Sequence, residues 1–156
     1  MQSRFTAALL FSICLLAPLA TAQKEKHLKK ADLPAAVQKT ADEQSQGARV
    51  RGYASEVEDG KLTYEVQLTV AGHSKDVSIA ADGTVLEVEE QVELAQLPAA
   101  VRDALLKQAG TGKIVKVESL TKHNKLVAYE AQVKDGAGKR KEIQVGPEGQ
   151  ALAHPE

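Results

Sequence analysis

The five residues Leu33-Pro34-Ala35-Ala36-Val37 return as Leu97-Pro98-Ala99-Ala100-Val101, and the residues downstream of the two copies match in the same order. A polar helical run ends at Gly47 in the first copy and at Gly110 in the second. Tyr64-Glu65-Val66 is echoed by Tyr129-Glu130-Ala131, Val77-Ser78-Ile79 by Ile143-Gln144-Val145, and the turn Ala81-Asp82-Gly83 by Pro147-Glu148-Gly149. The spacing drifts upward slightly from match to match, which places the small insertions in loops. Ordered matches about 65 residues apart point to a duplicated unit, and internal self-similarity of this kind is to be sought before any other feature. Two copies are too few for a solenoid. The fold class expected is therefore α+β, in two tandem repeats.

Residues 1–22 read as a cleavable export signal. Arg4 supplies the positive start, Phe5 to Ala20 an apolar run broken near its end by Pro18, and Ala20-Thr21-Ala22 a small-x-small cleavage site, so the mature chain begins at Gln23. The run is short and alanine-rich for a membrane span, and no stable membrane insertion is expected after cleavage. Cys14, the single cysteine, lies inside it behind Ile13, a poor residue before a lipidated cysteine. The mature chain then has no disulfide and no thiol chemistry. An exported domain of this kind is held by its core alone, which suits a bacterial periplasm better than an animal extracellular space. Formal net charge of the whole chain is −1, and that balance implies no strong electrostatic partner. Residues 23–30, with Lys24, Lys26, Lys29 and Lys30 around His27, read as a solvated basic tail.

The repeats are expected at 31–92 and 93–156. In the first, Asp32 caps a helix, Pro34 occupies its first turn, and Leu33, Val37, Ala41 and Gln44 form one stripe at helical spacing. In the second, Gln96 is a weaker cap and Leu97, Val101, Ala104, Leu105 and Gln108 form a stronger stripe. Three strands come after each helix. Leu62, Tyr64, Val66, Leu68 and Val70 alternate with polar residues, as do Val127, Tyr129, Ala131 and Val133. Glycine-containing turns separate the strands, and the chain from Thr84 to Val92 extends the first set. The strands near Val50–Val57 and Ile114–Leu120 show no clear inward face. Each unit is thus a helix packed on one face of a small antiparallel sheet of three to four strands, with the other face polar and open.

Leu33–Val37 opening a helix, Tyr64–Val66 in a strand and Asp82-Gly83-Thr84-Val85-Leu86 after a hairpin resemble the PepSY-like domains of exported bacterial proteins. Leu97–Val101, Tyr129–Ala131 and Glu148-Gly149-Gln150-Ala151-Leu152 repeat the match. A tandem pair of such units is similar in architecture to β-lactamase inhibitory protein (BLIP), whose curved sheet grips an enzyme. The resemblance implies hydrolase inhibition as a family theme and brings no catalytic residues. Interfaces of that kind lean on large aromatic anchors. The chain has no tryptophan and its two phenylalanines precede residue 22, which argues against β-lactamase inhibition as such.

Chemistry-bearing patterns are sparse. His27, His73, His123 and His154 have no partners at metal-ligand spacing. Asp82 with Glu87, Glu89, Glu90 and Glu93 lacks the alternating ligands and glycine of a dedicated calcium loop, and as an exposed edge it offers nothing to desolvate a carboxylate for acid–base work. Gly136-Ala137-Gly138-Lys139-Arg140-Lys141 precedes a strand, not the helix a phosphate loop needs. No serine sits in a nucleophile context, and neither overall basicity nor interleaved aromatics favour nucleic acid. The reading is a periplasmic, non-enzymatic binding module with no cofactor. It engages a protein partner, an envelope hydrolase, through an open face carrying Thr63, Glu65, Gln67, Glu130, Gln132 and Lys134. The rival is a calcium or transition-metal binding or sensing protein using Asp82 and Glu87–Glu93. An exposed edge strand is the natural route to pairing two chains.

Overall fold

The computed structural model describes residues 25–58 and 60–156; the expected signal segment at 1–22 and Asp59 lie outside them. Eight strands succeed one another: β1 (Lys26–Leu28), β2 (Arg49–Glu58), β3 (Lys61–Val70), β4 (His73–Ala80), β5 (Val85–Gln91), β6 (Lys113–Lys122), β7 (Lys125–Lys134) and β8 (Arg140–Val145). Helix α1 (Ala35–Gln44) lies between β1 and β2, and α2 (Ala99–Ala109) between β5 and β6. Each strand pairs antiparallel with its sequence neighbour, in a single sheet ordered β1 to β8.

This corrects the expectation of two tandem helix-plus-small-sheet repeats. The cause is β5, which pairs with β4 along one edge and with β6 along the other. Two separate small sheets would each leave a row of unpaired backbone groups at the join, and one shared strand satisfies both. The division expected at 92/93 falls just past β5, whose Gln91 already pairs with Glu118. The expected basic tail carries β1, whose Leu28 pairs with Tyr53. No strand follows Gly149 among the described residues.

Both helices cover one face. Val37 and Ala41 of α1 pack with Leu33, Val66, Leu68, Val77 and Ile79. Val101 and Leu105 of α2 pack with Leu97, Val117, Ala131 and Val145. Val88 joins the first cluster and Val92 the second. Residues four apart on one extended stretch point the same way, so both clusters lie on the same side. Tyr64 and Tyr129 pack on them, as the alternation predicts.

The helices start a little later than the caps suggested. Pro34 and Pro98 each precede the first helical residue. Asp32 does not cap α1; its Oδ2 accepts the Lys29 backbone N–H at 3.0 Å in a 3-10 turn. The α2 stripe runs on to buried Ala109, and Gln108 is exposed. Gly83 and Gly149 have φ of +89° and +81°. A Cβ on them would meet the backbone oxygens of Ala36 and Ala100 at 2.9 and 2.5 Å, so each turn sits against the first turn of its helix.

Bulges explain the strands whose inward face the alternation left open. Register shifts fall between Val50 and Gly52 in β2 and between Ile114 and Lys116 in β6. An inserted residue reverses the alternation locally. Val117 is consequently buried and Val115 exposed.

Candidate functional site on the open face

The face away from the helices is crossed by rows of facing residues. One row runs Glu65, Ser78, Glu87, Lys122 across β3 to β6. The next runs Gln67, Asp76, Glu89, Leu120. A third runs Glu118, Glu130, Gln144 across β6 to β8. Asp76 stands directly opposite Glu89, and Glu118 directly opposite Glu130. Like charges in such positions destabilise a sheet.

Three of these carboxylates have a cation. Arg51 pairs with Asp76, Lys122 Nζ lies 3.2 Å from Glu87, and Lys116 Nζ lies 2.5 Å from Glu118, which is 4% exposed. Glu65 and Glu130 are held by amides instead: Gln67 Nε2 donates to Glu65 at 2.7 Å and Gln144 Nε2 donates to Glu130 at 2.8 Å. Among the described residues no lysine or arginine pairs with Glu65, Glu89 or Glu130.

The consequence is electrostatic. Burial pushes the Glu89 carboxyl up to about 8, and the charges of Glu118 and Glu87 push the same way. Its hydrogen bond with Glu87 needs a proton on one of the two carboxyls and adds to the effect. Burial likewise raises Glu65 and Glu130; the amide donors oppose the rise and neighbouring carboxylates reinforce it.

These groups surround a hollow of about 210 Å³. Its lining holds seven carboxylate side chains and no basic one, with Leu120, Ser78 and Gln144 between them. The near-balance of the whole chain thus conceals a local excess of negative charge.

Of the residues expected on this face, Glu65 and Glu130 line the hollow. Thr63 is 5% exposed and offers little to a partner. Gln67 is spent on Glu65 and Glu25. Gln132 lines a different hollow with Arg140, Lys141 and Glu142, and Lys134 is exposed at the end of β7. Asp76, Glu89 and Glu118 belong to the site and were not singled out for it. Period-two alternation on β5 was the available signal: Glu87 and Glu89 share a face opposite to Val88 and Glu90.

The acidic run proposed for metal is divided between faces. Glu90 pairs with Lys75 at 3.0 Å, and Asp82 caps its own turn by accepting the Thr84 N–H at 2.9 Å, which lowers its pKa. The carboxylates that do converge are Asp76, Glu89 and Glu118, with oxygens within 4.8 Å of one another. As a metal centre the set falls short, because calcium takes about six to eight oxygens and two of the three already hold Arg51 and Lys116. In the Gly136–Lys141 hairpin, Asp135 Oδ1 accepts the Ala137 and Lys139 amides, both at 2.9 Å. That leaves those amides no anion to receive.

No family model matches the chain, and no curated protein does. Solved structures match well. A periplasmic protein of Bacteroides eggerthii, 20% identical, superposes with a TM-score of 0.63 over 77% of this chain and 86% of its own. A DUF2874 family protein of Bacteroides ovatus gives 0.60 at 21% identity, over 77% and 84%. A BLIP-like protein of Bacteroides fragilis gives 0.56 at 21% identity, over 78% and 84%. The chain shares their fold. They fit the BLIP-like architecture; none is described as PepSY-like or as an enzyme.

Proposed function

We propose that this protein is a non-enzymatic binding module of the periplasm that docks a protein partner on the open face of its sheet, as a regulator or inhibitor of an envelope hydrolase. The observation that carries the reading is the asymmetry of the sheet. One face is covered by both helices, while the other displays half-buried polar side chains around a hollow that no helix or strand of the described chain covers, with the C-terminal Glu156 at its rim. Small-molecule sites occupy about 300–1,000 Å³ and are mostly apolar; a 210 Å³ hollow lined by carboxylates suits part of a protein surface better. Export rests on the signal read at residues 1–22 and on the periplasmic description of a fold neighbour. Among the described residues no helix is long and apolar enough to cross a membrane.

The test is affinity capture from a periplasmic extract of the host, with the Glu65→Lys plus Glu130→Lys variant alongside. A hydrolase that is retained, identified, and then bound as a purified protein by the native form but not by the variant supports the reading. Equal retention by both removes the sheet face as the docking surface. N-terminal sequencing of the exported protein should begin at Gln23; an intact Met1 would remove the export part.

A further inference from the structure

We infer that the outer edge of β8 takes an extended segment of a protein partner as a further strand, antiparallel to β8. This concerns the edge of the sheet and stands apart from the docking reading of its open face. The two repeats carry it, because they match through a turn and then part. In the first, the Ala80 N–H donates to Thr84 O at 2.8 Å and the Gly83 N–H to Ala80 O at 2.9 Å. In the second, the Gly146 N–H donates to Gln150 O and the Gly149 N–H to Gly146 O, both at 2.8 Å. The first chain then runs on as β5 and covers β4: Lys75, Asp76, Val77 and Ser78 face Glu90, Glu89, Val88 and Glu87. The second runs on as Ala151-Leu152-Ala153-His154-Pro155 and forms no strand. Pro155 falls where Glu89 stands in the first copy and has no N–H to give to a ladder. Glu156 turns instead onto the open face, where its N–H donates to Gln144 Oε1 at 2.8 Å. Among the described strands, β8 therefore has β7 on one side and none on the other.

That edge is set up to pair. The Gly146 N–H points away from β7 toward Gln150, and alternation puts the backbone groups of Gln144 and Glu142 on the same outer side. The Gln144 carbonyl accepts only an exposed side chain of α2, Gln108 Nε2 at 3.3 Å. Arg140, Lys141 and Glu142 are exposed, and with Gln132 they line a hollow of about 360 Å³. Val77, with Val88 beside it, is fully buried, whereas Ile143 in the matching position is only half-buried.

Charge and register define the occupant. Lys75 meets Glu90 at 3.0 Å. Lys141, in the matching position, reaches only the Gln108 carbonyl at 3.4 Å. The strand that fits carries an apolar residue opposite Ile143, a basic one opposite Glu142 and an acidic one opposite Lys141. Its main chain supplies the attachment and its alternate side chains the choice of partner. A second copy of this chain fits less well. On another β8, the face that bears Lys141 carries only Ile143 and Val145. On β1, Lys26 lies opposite Ser55 as Glu90 lies opposite Ser119, so a lysine would meet Lys141.

The probes are the β5 peptide, Val85 to Gln91, the same peptide with Glu89→Lys, and a scrambled peptide of the same composition. Each is titrated into the isotope-labelled exported protein and read by backbone amide shifts. The first two should move the amides of Glu142 and Gln144, and Glu89→Lys should tighten binding about fivefold, since a lysine then faces Glu142. The scrambled peptide should not bind. Glu142→Pro removes an outward N–H at a position where an edge strand tolerates proline, and should abolish binding. Lys141→Glu leaves the backbone intact and should weaken both peptides about fivefold; it decides the matter if the proline variant does not fold. The Glu65→Lys plus Glu130→Lys variant should bind as the native protein does. A loss there, or shifts confined to the open face, would place the peptide elsewhere and overturn the inference. No binding, equal binding of the scrambled peptide, or unchanged binding in Lys141→Glu also overturns it. A dimer in sedimentation that Glu142→Pro dissolves would make a second copy the occupant and overturn the partner segment.

Discussion

The two faces of the sheet are made by adjacent residues of the same strands, and they obey opposite rules. On the helix side, Val66, Leu68, Val77 and Ile79 meet α1 with essentially no exposure. On the other side, each beside one of those core-facing positions or its equivalent, Asp76 faces Glu89 directly across strands and Glu65 shares a row with Ser78 and Glu87. The first arrangement removes apolar area from water, the dominant stabilising term. The second gathers like charges that repel and must shed water or take up protons. A sheet shaped for stability alone would set opposite charges across the open face, as Lys75 and Glu90 are set on the covered one. Surfaces that forgo stability in this way are commonly those retained for function.

The contrast breaks most severely from the covered side. Leu105 is fully buried in the α2 cluster, and Leu105→Ala should cost about 2–5 kcal/mol in urea unfolding. Gly149→Ala comes next at about 2–4 kcal/mol. It forces a side chain into φ +81° and onto the Ala100 oxygen, adding backbone strain to overpacking. A loss below about 1 kcal/mol would show that the turn yields without moving α2.

From the open side the sign reverses. Between the ordinary value of 4.5 and the folded value of about 8, the native Glu89 binds more protons than the unfolded one. Stability contributed by its neutral form therefore falls as pH climbs through that window and levels off above it. Glu89→Gln removes the burden, and should stabilise by about 1–2 kcal/mol at pH near 9 with little change near pH 4. Thermal melts at both pH values read it; a destabilisation at high pH would mean that Glu89 is already compensated. Its neighbour Glu90 is the internal control. Its partly exposed pair with Lys75 predicts a loss of about 0.5 kcal/mol for Glu90→Gln. Lys134→Ala, at the exposed end of β7, should stay within about 0.5 kcal/mol of native.

Much of this was legible along the chain. The Leu-Pro-Ala-Ala-Val segments marked both helix starts, and alternation placed Tyr64, Val66, Leu68 and Ala131 inward and Glu65 and Glu130 outward. Local patterns failed where backbone register changed, at the bulges beside Val50 and Val115. They also failed at Glu87–Glu93, which read as a solvated edge. Alternation says which residues share a face, but not whether a strand has one neighbour or two, and β5 has two.

By itself the sequence determined the order of the two helices and of the strands that follow each of them, and the polarity of the strand faces free of bulges, because those depend on residues two to four apart. The single sheet and its acidic hollow were decided only in three dimensions. Asp76, Glu89 and Glu118 come from separate strands, two of them parted by the whole of α2. Strand pairing across β5 brings them within reach, and the burial it creates turns ordinary carboxylates into a site.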